Sequence, residues 1–269
     1  MRGALGVMFL ASVGGAIPLP AIAAGEPSGV PETAPPAEAK GDAPRPPPYL
    51  QLRYDEDYSF LNDPARRTDF LDPLKYIPLD GSGEFYLGFG GEARERYEYF
   101  HNSLWGQGPQ DDDGYLLQRY MLHADLHLGP RVRLFGQLKS DLVTDREGGP
   151  RPTDKDELDF HQGFLEVTAP IGSNADLMVR LGRQEMAFGS SRLVSVREGP
   201  NVRQSFDGVR VGARALGWRI DGFATRPVET DPGIFDDASD EDRAFWGSYA
   251  TGPLSLLPGG NIEIGRAHV

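Results

Sequence analysis

The stretch L-L-Q-R-Y-M-L-H-A-D-L-H-L, residues 116–128, and after Gly129-Pro130-Arg131 the stretch V-R-L-F-G-Q-L-K-S-D-L, residues 132–142, decide how this chain folds. In the first, Leu116, Tyr120, Leu122, Ala124, Leu126 and Leu128 share one parity, and Arg119, His123, Asp125 and His127 share the other. In the second, Val132, Leu134, Leu138 and Leu142 oppose Arg133, Gln137, Lys139 and Asp141. Successive side chains of an extended chain point to opposite faces, so this period of two predicts two long strands joined by a tight turn.

Working outward, the preceding segment places Phe85, Leu87, Phe89, Ala93, Tyr97 and Tyr99 against Glu92, Arg94, Arg96 and Glu98, with Glu95 the exception. A helix is its rival, because Ala93, Tyr97, Phe100 and Leu104 also form an apolar stripe. Three alternating segments in succession favour a sheet. Further strands are expected at 158–168, 177–188, 206–215, 218–226 and 243–251, with phase changes near Gln162-Gly163 and at Gly182, where glycine suggests a bulge. Arg180 lies on the polar face before the second slip; after it Arg183 and Glu185 are expected there, with Met186 and Phe188 opposite. In the next two strands Arg210, Arg214, Arg219 and Asp221 oppose Val209, Val211, Ala213, Trp218 and Ile220.

The connections alternate in length. Residues 101–114, 145–157, 189–205 and 227–242 are long, whereas 129–131, 169–176 and 216–217 are short. Long loops at one end and tight turns at the other are the arrangement of outer-membrane barrels. Alternation does not say which face points inward, and a soluble barrel would enclose its apolar face. Aromatics near the segment ends (Phe85, Tyr97, Tyr99, Tyr115, Trp218, Phe245 and Trp246) suit an interfacial girdle and favour the membrane barrel.

Composition agrees with this class. The 269 residues include no Cys, which excludes disulfide scaffolds, thiolate metal sites and cysteine nucleophiles. No apolar run is long enough for a membrane helix. A formal charge of -13 argues against nucleic-acid binding, which needs a basic footprint. Residues 1–24, with Arg2, an apolar stretch and small residues at Ala21, Ala23 and Ala24, have the layout of a secretory signal peptide cut after Ala23 or Ala24. Residues 25–48 are Pro-rich and nearly devoid of apolar side chains, hence a disordered linker. Residues 49–84 read as an irregular ordered segment.

Several motifs carry possible chemistry. Gly88-Phe89-Gly90-Gly91-Glu92-Ala93 fits a dinucleotide fingerprint by spacing but not by context, because a strand runs through it where a helix should start. His123, Asp125 and His127 share one strand face about 7 Å apart, wide for a single ion, so lumen polarity is the favoured account. His161 and Ser205 lack any nucleophile elbow, which leaves an envelope lipid hydrolase poorly supported. The acidic runs 111–113, 154–157 and 236–242 fall in the long loops, where solvated charge competes with divalent-cation binding. No metal site or cofactor is assigned.

The basic residues stand apart. Arg94, Arg96, Arg119, Arg133, Lys139, Arg180, Arg183, Arg210, Arg214 and Arg219 are expected on the polar face of an otherwise acidic chain. Such a wall selects anions. The competing reading makes them ladders paired with Glu92, Asp125, Asp141 and Asp221 that stiffen the wall, and both readings stay open.

With these residues in place, the chain resembles the bacterial alginate export family. The resemblance rests on R-Y-D-E-D-Y-S-F-L from Arg53, D-P-L-K-Y-I-P-L from Asp72, L-G-F-G-G-E-A-R-E-R-Y-E from Leu87, L-G-R-Q-E from Leu181, R-L-V-S-V-R-E-G-P-N from Arg192 and S-F-D-G-V-R from Ser205. It implies an all-β antiparallel transmembrane barrel in the outer membrane of a Gram-negative bacterium, not an enzyme. It also implies passage of an anionic polysaccharide, with Arg94, Arg96 and Arg183 in the channel lining. The partners expected are therefore outer-membrane lipid and an anionic polysaccharide or oligosaccharide, with any periplasmic partner unknown. A general anion-selective porin is the alternative; a soluble ligand-binding barrel is less favoured. The family's barrels have more strands than the eight or so read here, so 85–262 is expected to be the N-terminal part of a larger barrel. Residues 263–269, E-I-G-R-A-H-V, match one reading frame of a common sequencing-library adapter, so an artefactual tail is expected there.

Overall fold

The computed structural model describes residues 47–110, 113–254 and 260–268; the expected leader, nearly all of the linker, Asp111 and Asp112 lie outside them. One sheet dominates. Its strands are β1 (Ile77–Pro78), β2 (Phe85–Glu98), β3 (Tyr115–Leu128), β4 (Val132–Thr144), β5 (Asp156–Ile171), β6 (Ala175–Gln184), β7 (Phe206–Ala215), β8 (Trp218–Glu229), β9 (Ala238–Ser239), β10 (Phe245–Pro253) and β11 (Asn261–His268). Each long strand pairs antiparallel with the next in sequence, β10 follows β8 directly, and the two-residue β9 sits against β8. Among the described residues the sheet is open: the path ends at β1 on one side and at β11 on the other. No helix among the described residues could cross a membrane.

The helical alternative for 93–104 is settled in favour of β2, which runs to Glu98 in unbroken register with β3. The phase change near Gln162 is present as a register shift, since Gln137 faces Gln162 while Leu138 faces Phe160. His161 is the extra residue.

The change expected at Gly182 is absent. Pairing is continuous from Ala175 to Arg183 with β5 and to Gln184 with β7, so Arg183 shares the face of exposed Leu181, opposite buried Arg180. Gly182 serves another purpose: with φ at +129°, a Cβ there would stand 2.9 Å from Phe164 Cα. The strand expected to reach Phe188 stops at Gln184, and residues 261–268, which include most of the expected tail, add a further strand paired from Asn261 to His268 with β10.

The sheet's two faces answer the question that alternation left open. Phe89, Leu122, Leu134, Leu165, Leu181, Val211, Ile220 and Ile264 are exposed, whereas Arg119, Gln137, Lys139, Arg180, Arg210 and Asp221 on the other face are buried. A water-soluble barrel would do the reverse. An exposed apolar band over a covered polar face suits strands that meet lipid. Of the residues expected in a girdle, Phe85, Tyr97, Tyr99 and Trp246 are exposed, whereas Tyr115 and Phe245 face inward and are buried.

Two irregular segments cover the polar face. The strap 49–76 brings Tyr54 between Phe135 and Phe164, with ring centroids 6.1 and 5.4 Å away and edge-on geometry. Where β6 ends, residues 185–205 fold onto the inner face, and Phe188 packs on Phe223 and Tyr249. Their departure leaves the edge of β5 unpaired near its start. The connection after β8 fills it, Leu158 N donating to Gly233 O and Phe235 N to Leu158 O.

Candidate functional site

Strand alternation places most of the cations on the covered face, and sheet register then does something that composition could not reveal. Arg94 lies directly opposite Arg119, Arg180 opposite Arg210, and Arg214 opposite Arg219. Like charges across a strand pair repel, by about 0.2–1 kcal/mol in ordinary sheets and more when buried. Each such pair therefore calls for anionic oxygen nearby.

The first pair finds it in the inward-folded loop. Arg119, completely buried, donates to Glu92 Oε1 through Nη2 (2.8 Å) and Nε (3.0 Å), and also meets Glu198. Arg94 donates to the carbonyls of Glu198 (3.0 Å) and Pro200 (3.0 Å), and Arg96 to that of Gly199 (2.7 Å). Asn201 locks the loop by sharing its amide hydrogens among Gln118 O, Leu142 O and Asp154 O, at 2.9–3.1 Å.

The second pair is satisfied by the wall itself. Arg180 donates to Glu166 Oε2 through Nε (2.8 Å) and Nη2 (2.5 Å), and its guanidinium carbon lies 3.9 Å from the Tyr54 ring centroid. Arg210 donates to Asp221 Oδ1 at 2.7 and 3.0 Å, and Arg219 takes the other oxygen at 2.8 Å. Arg133 makes a two-pronged pair with Asp125 at 2.7 and 2.5 Å and donates to Tyr54 O at 2.6 Å.

The third pair differs. Arg214 is exposed and has no ion-pair or hydrogen-bond partner among the described residues. It opens, with Arg133, Arg180, Arg210 and Arg219, onto a cleft of about 300 Å³ at the short-turn end of the sheet. The strap forms the cleft's other wall through Tyr54, Asp55, Glu56 and Asp57.

Lys139 belongs to a separate group near the long loops. Its ammonium lies 2.6 Å from Asp156 and 2.8 Å from Asp237, all three side chains being buried. Asp156, Asp159 and Asp237 bring oxygens within 4.8 Å of one another, a spacing compatible with a cation, but the lysine already supplies the positive charge to two of them. Asp141, opposite Arg119 in register and fully buried, makes no hydrogen bond among the described residues. Of the four carboxylates expected to pair with the wall cations, Glu92, Asp125 and Asp221 do so directly.

Arg183, expected in the lining, is the correction. It reaches Asp207 at 2.9 and 3.0 Å and the carbonyls of Phe160 and Asp237, on the strand face away from Arg180. An unbroken alternation at Gly182 puts it there.

The other motifs resolve into structure. His123 stacks on Phe135 with centroids 5.3 Å apart and His127 on Tyr86 at 4.2 Å. Gly88 and Gly90 leave room for neighbours: a Cβ would meet Lys75 O at 2.7 Å and His123 Nε2 at 2.6 Å respectively. His161 bonds Glu185 at 2.7 Å, which Arg203 also grips at 2.7 Å. Asp154 is engaged by Arg146 at 3.0 Å, and Asp240 meets Arg243. In the strap, burial would raise the Asp72 carboxyl. The N–H groups of Asp69 and Thr68 with the Lys75 ammonium outweigh burial and hold it below the ordinary carboxylate range.

The partners that sequence reading missed are Glu166, Glu198, Arg203 and the strap; Glu185 was expected on the polar face, but not as the partner of His161 and Arg203. Glu166 alone was within reach, because once the phase changes at Gln162 it falls on the polar parity opposite Arg180.

An antiparallel sheet with an exposed apolar face and a covered, charged inner face is the wall of a transmembrane β-barrel. Residues 85–252 match the family model for alginate export. The chain belongs to the alginate export family. No curated protein matches it. Membership places the chain among transport channels rather than enzymes and implies the outer membrane of a Gram-negative bacterium.

Proposed function

We propose that this protein forms the wall of an outer-membrane channel that passes an anionic oligo- or polysaccharide, a polyuronate of the alginate kind, without energy input. The observation that carries the reading is the Arg214–Arg219 cross-strand pair. Two like pairs in the same sheet are satisfied by internal carboxylates or carbonyls, whereas Arg214 stands open on a cleft that also bears Arg133. A guanidinium can hold a carboxylate through two parallel hydrogen bonds. Two of them facing each other fit repeated carboxylates better than a single point charge does.

A general anion-selective porin is the second reading, and one observation favours it. Arg119, Arg180 and Arg210 already hold carboxylates of the chain, so the free guanidinium forks on the inner face are few.

The test is calorimetric titration of the purified protein in detergent with a uronate oligomer, a neutral oligosaccharide of equal length and the uronate monomer. The oligomer should bind and the neutral sugar should not. Arg214→Ala or Arg219→Ala should weaken binding about tenfold, the worth of one charge-assisted hydrogen bond. Equal affinity for oligomer and neutral sugar would sink the proposal; affinity for any small anion without preference for the oligomer would favour the porin.

A further inference from the structure

The strap approaches the cationic cleft through neutral contacts and leaves its charges on the cleft. Tyr54 anchors it, being 2% exposed. Its carbonyl accepts from Arg133 at 2.6 Å, its hydroxyl donates to Glu185 O at 2.8 Å, and Gln51 O accepts from Arg203 at 2.9 Å. Glu56 is consumed within the strap by Arg53, Tyr58 and the Leu50 N–H. Asp55 and Asp57 are different. Both are exposed and both line the cleft, yet neither carboxylate is hydrogen-bonded to an arginine of the wall. A strap meant only to neutralise the wall would have placed these acids in contact with Arg214 or Arg133, and this one does not.

We propose that Asp55 and Asp57 are specificity-determining residues. They are tethered carboxylates that hold the cleft's affinity for incoming anions low, so that an anionic sugar entering between the strap and the Arg214–Arg219 pair is bound weakly enough to move on. The reading rests on the channel function proposed above and adds who sets its selectivity. Conduction requires sites that bind well enough to admit a solute and weakly enough to release it. On the wall, Arg133 and Arg219 are engaged by Asp125 and Asp221, while Arg214, opposite Asp176 in register, keeps its guanidinium open to the cleft; the two strap carboxylates across the cleft add a field opposed to that open charge.

The chain has no cysteine, so one introduced thiol reports on the cleft alone. Thr168 lines the cleft and carries no charge. Thr168→Cys is to be reacted with an anionic and a cationic thiosulfonate reagent of equal size, in the full chain in detergent. The pair Asp55→Asn and Asp57→Asn, which keeps the acceptor that Asp57 offers to Ser59 N, should raise the anionic-to-cationic rate ratio about fivefold, as expected for removing two like charges within a Debye length. Asp63→Asn, equal in charge but outside the cleft, should leave the ratio unchanged. The same double variant should bind the uronate oligomer more tightly than the wild type.

An unchanged rate ratio overturns the proposal whatever the oligomer does, and so does an equal response to Asp63→Asn. A raised ratio with no uronate binding by any variant would uphold the carboxylate field while removing the polyuronate function, so the two failures are distinguishable.

Discussion

Arg119 and Arg214 lie on the same inner face and have opposite energetic characters. Arg119 is wholly buried between Glu92 and Glu198, and its removal takes from Glu92 its two shortest bonds, leaving it Arg53 at 3.2 Å and Arg203 at 3.8 Å. Breaking such a buried pair costs about 3–5 kcal/mol. Arg119→Ala is therefore expected to lower the denaturation midpoint in detergent sharply and to free the 197–201 loop to proteases. Arg214 has no hydrogen-bonded or ion-paired partner among the described residues, with Arg219 and Asp176 its register neighbours, so Arg214→Ala should leave stability within about 0.5 kcal/mol while losing uronate affinity. Equal destabilisation by both variants would show that Arg214 is part of the structural ladder. The sequence displayed both arginines on the polar parity but could not rank them, because the ranking comes from the oxygens that other segments bring.

At the scale of elements, β6 shows how a strand can keep its phase through a residue that looks like a bulge. Gly182 reaches φ +129°, a conformation that L residues avoid, and the β5 backbone passes close enough to forbid a side chain. Gly182→Ala is expected to cost about 1–3 kcal/mol from backbone strain alone, with the close contact adding to it, and to loosen the β5–β6 pairing that positions Arg180 on Glu166. Amide exchange should speed up along 175–184 and not along β3; a variant as protected as the wild type would mean that the backbone relaxes there at little cost. The strap and the 185–205 loop were the least legible elements. Both are irregular, so periodicity says nothing of them, and Tyr54 gives no sequence sign that it will lie between Phe135 and Phe164.

For the whole molecule the open sheet is decisive. Among the described residues, β11 carries an unpaired edge and β2 is covered only at Tyr86 and Leu87 by β1. Exposed strand edges pair with other chains. A sheet that does not close encloses no lumen, so this chain alone is expected to give no steady conductance in planar bilayers and to associate through its edges at raised protein concentration. Stable single-channel currents from a monodisperse monomer would contradict this. Closure by further strands, or by other copies, would turn the inner face into a channel wall.

The strands, their succession, the division into an apolar and a charged face, and the family were all legible from the residues alone. These follow from local alternation and from turn and loop lengths, and most of the long strands lie within a residue or two of where alternation put them. Which face is covered, that Arg183 lies away from Arg180, and that Arg94, Arg180 and Arg214 each meet another arginine across the sheet came from the packed fold. Register sets those meetings, and register is a relation between strands that no single strand encodes. The strap's place on the inner face was likewise decided by long-range contacts: Tyr54 meets Glu185 and Arg180, far along the chain, and a sequence pattern has no term for residues that become neighbours only when the sheet curves around them.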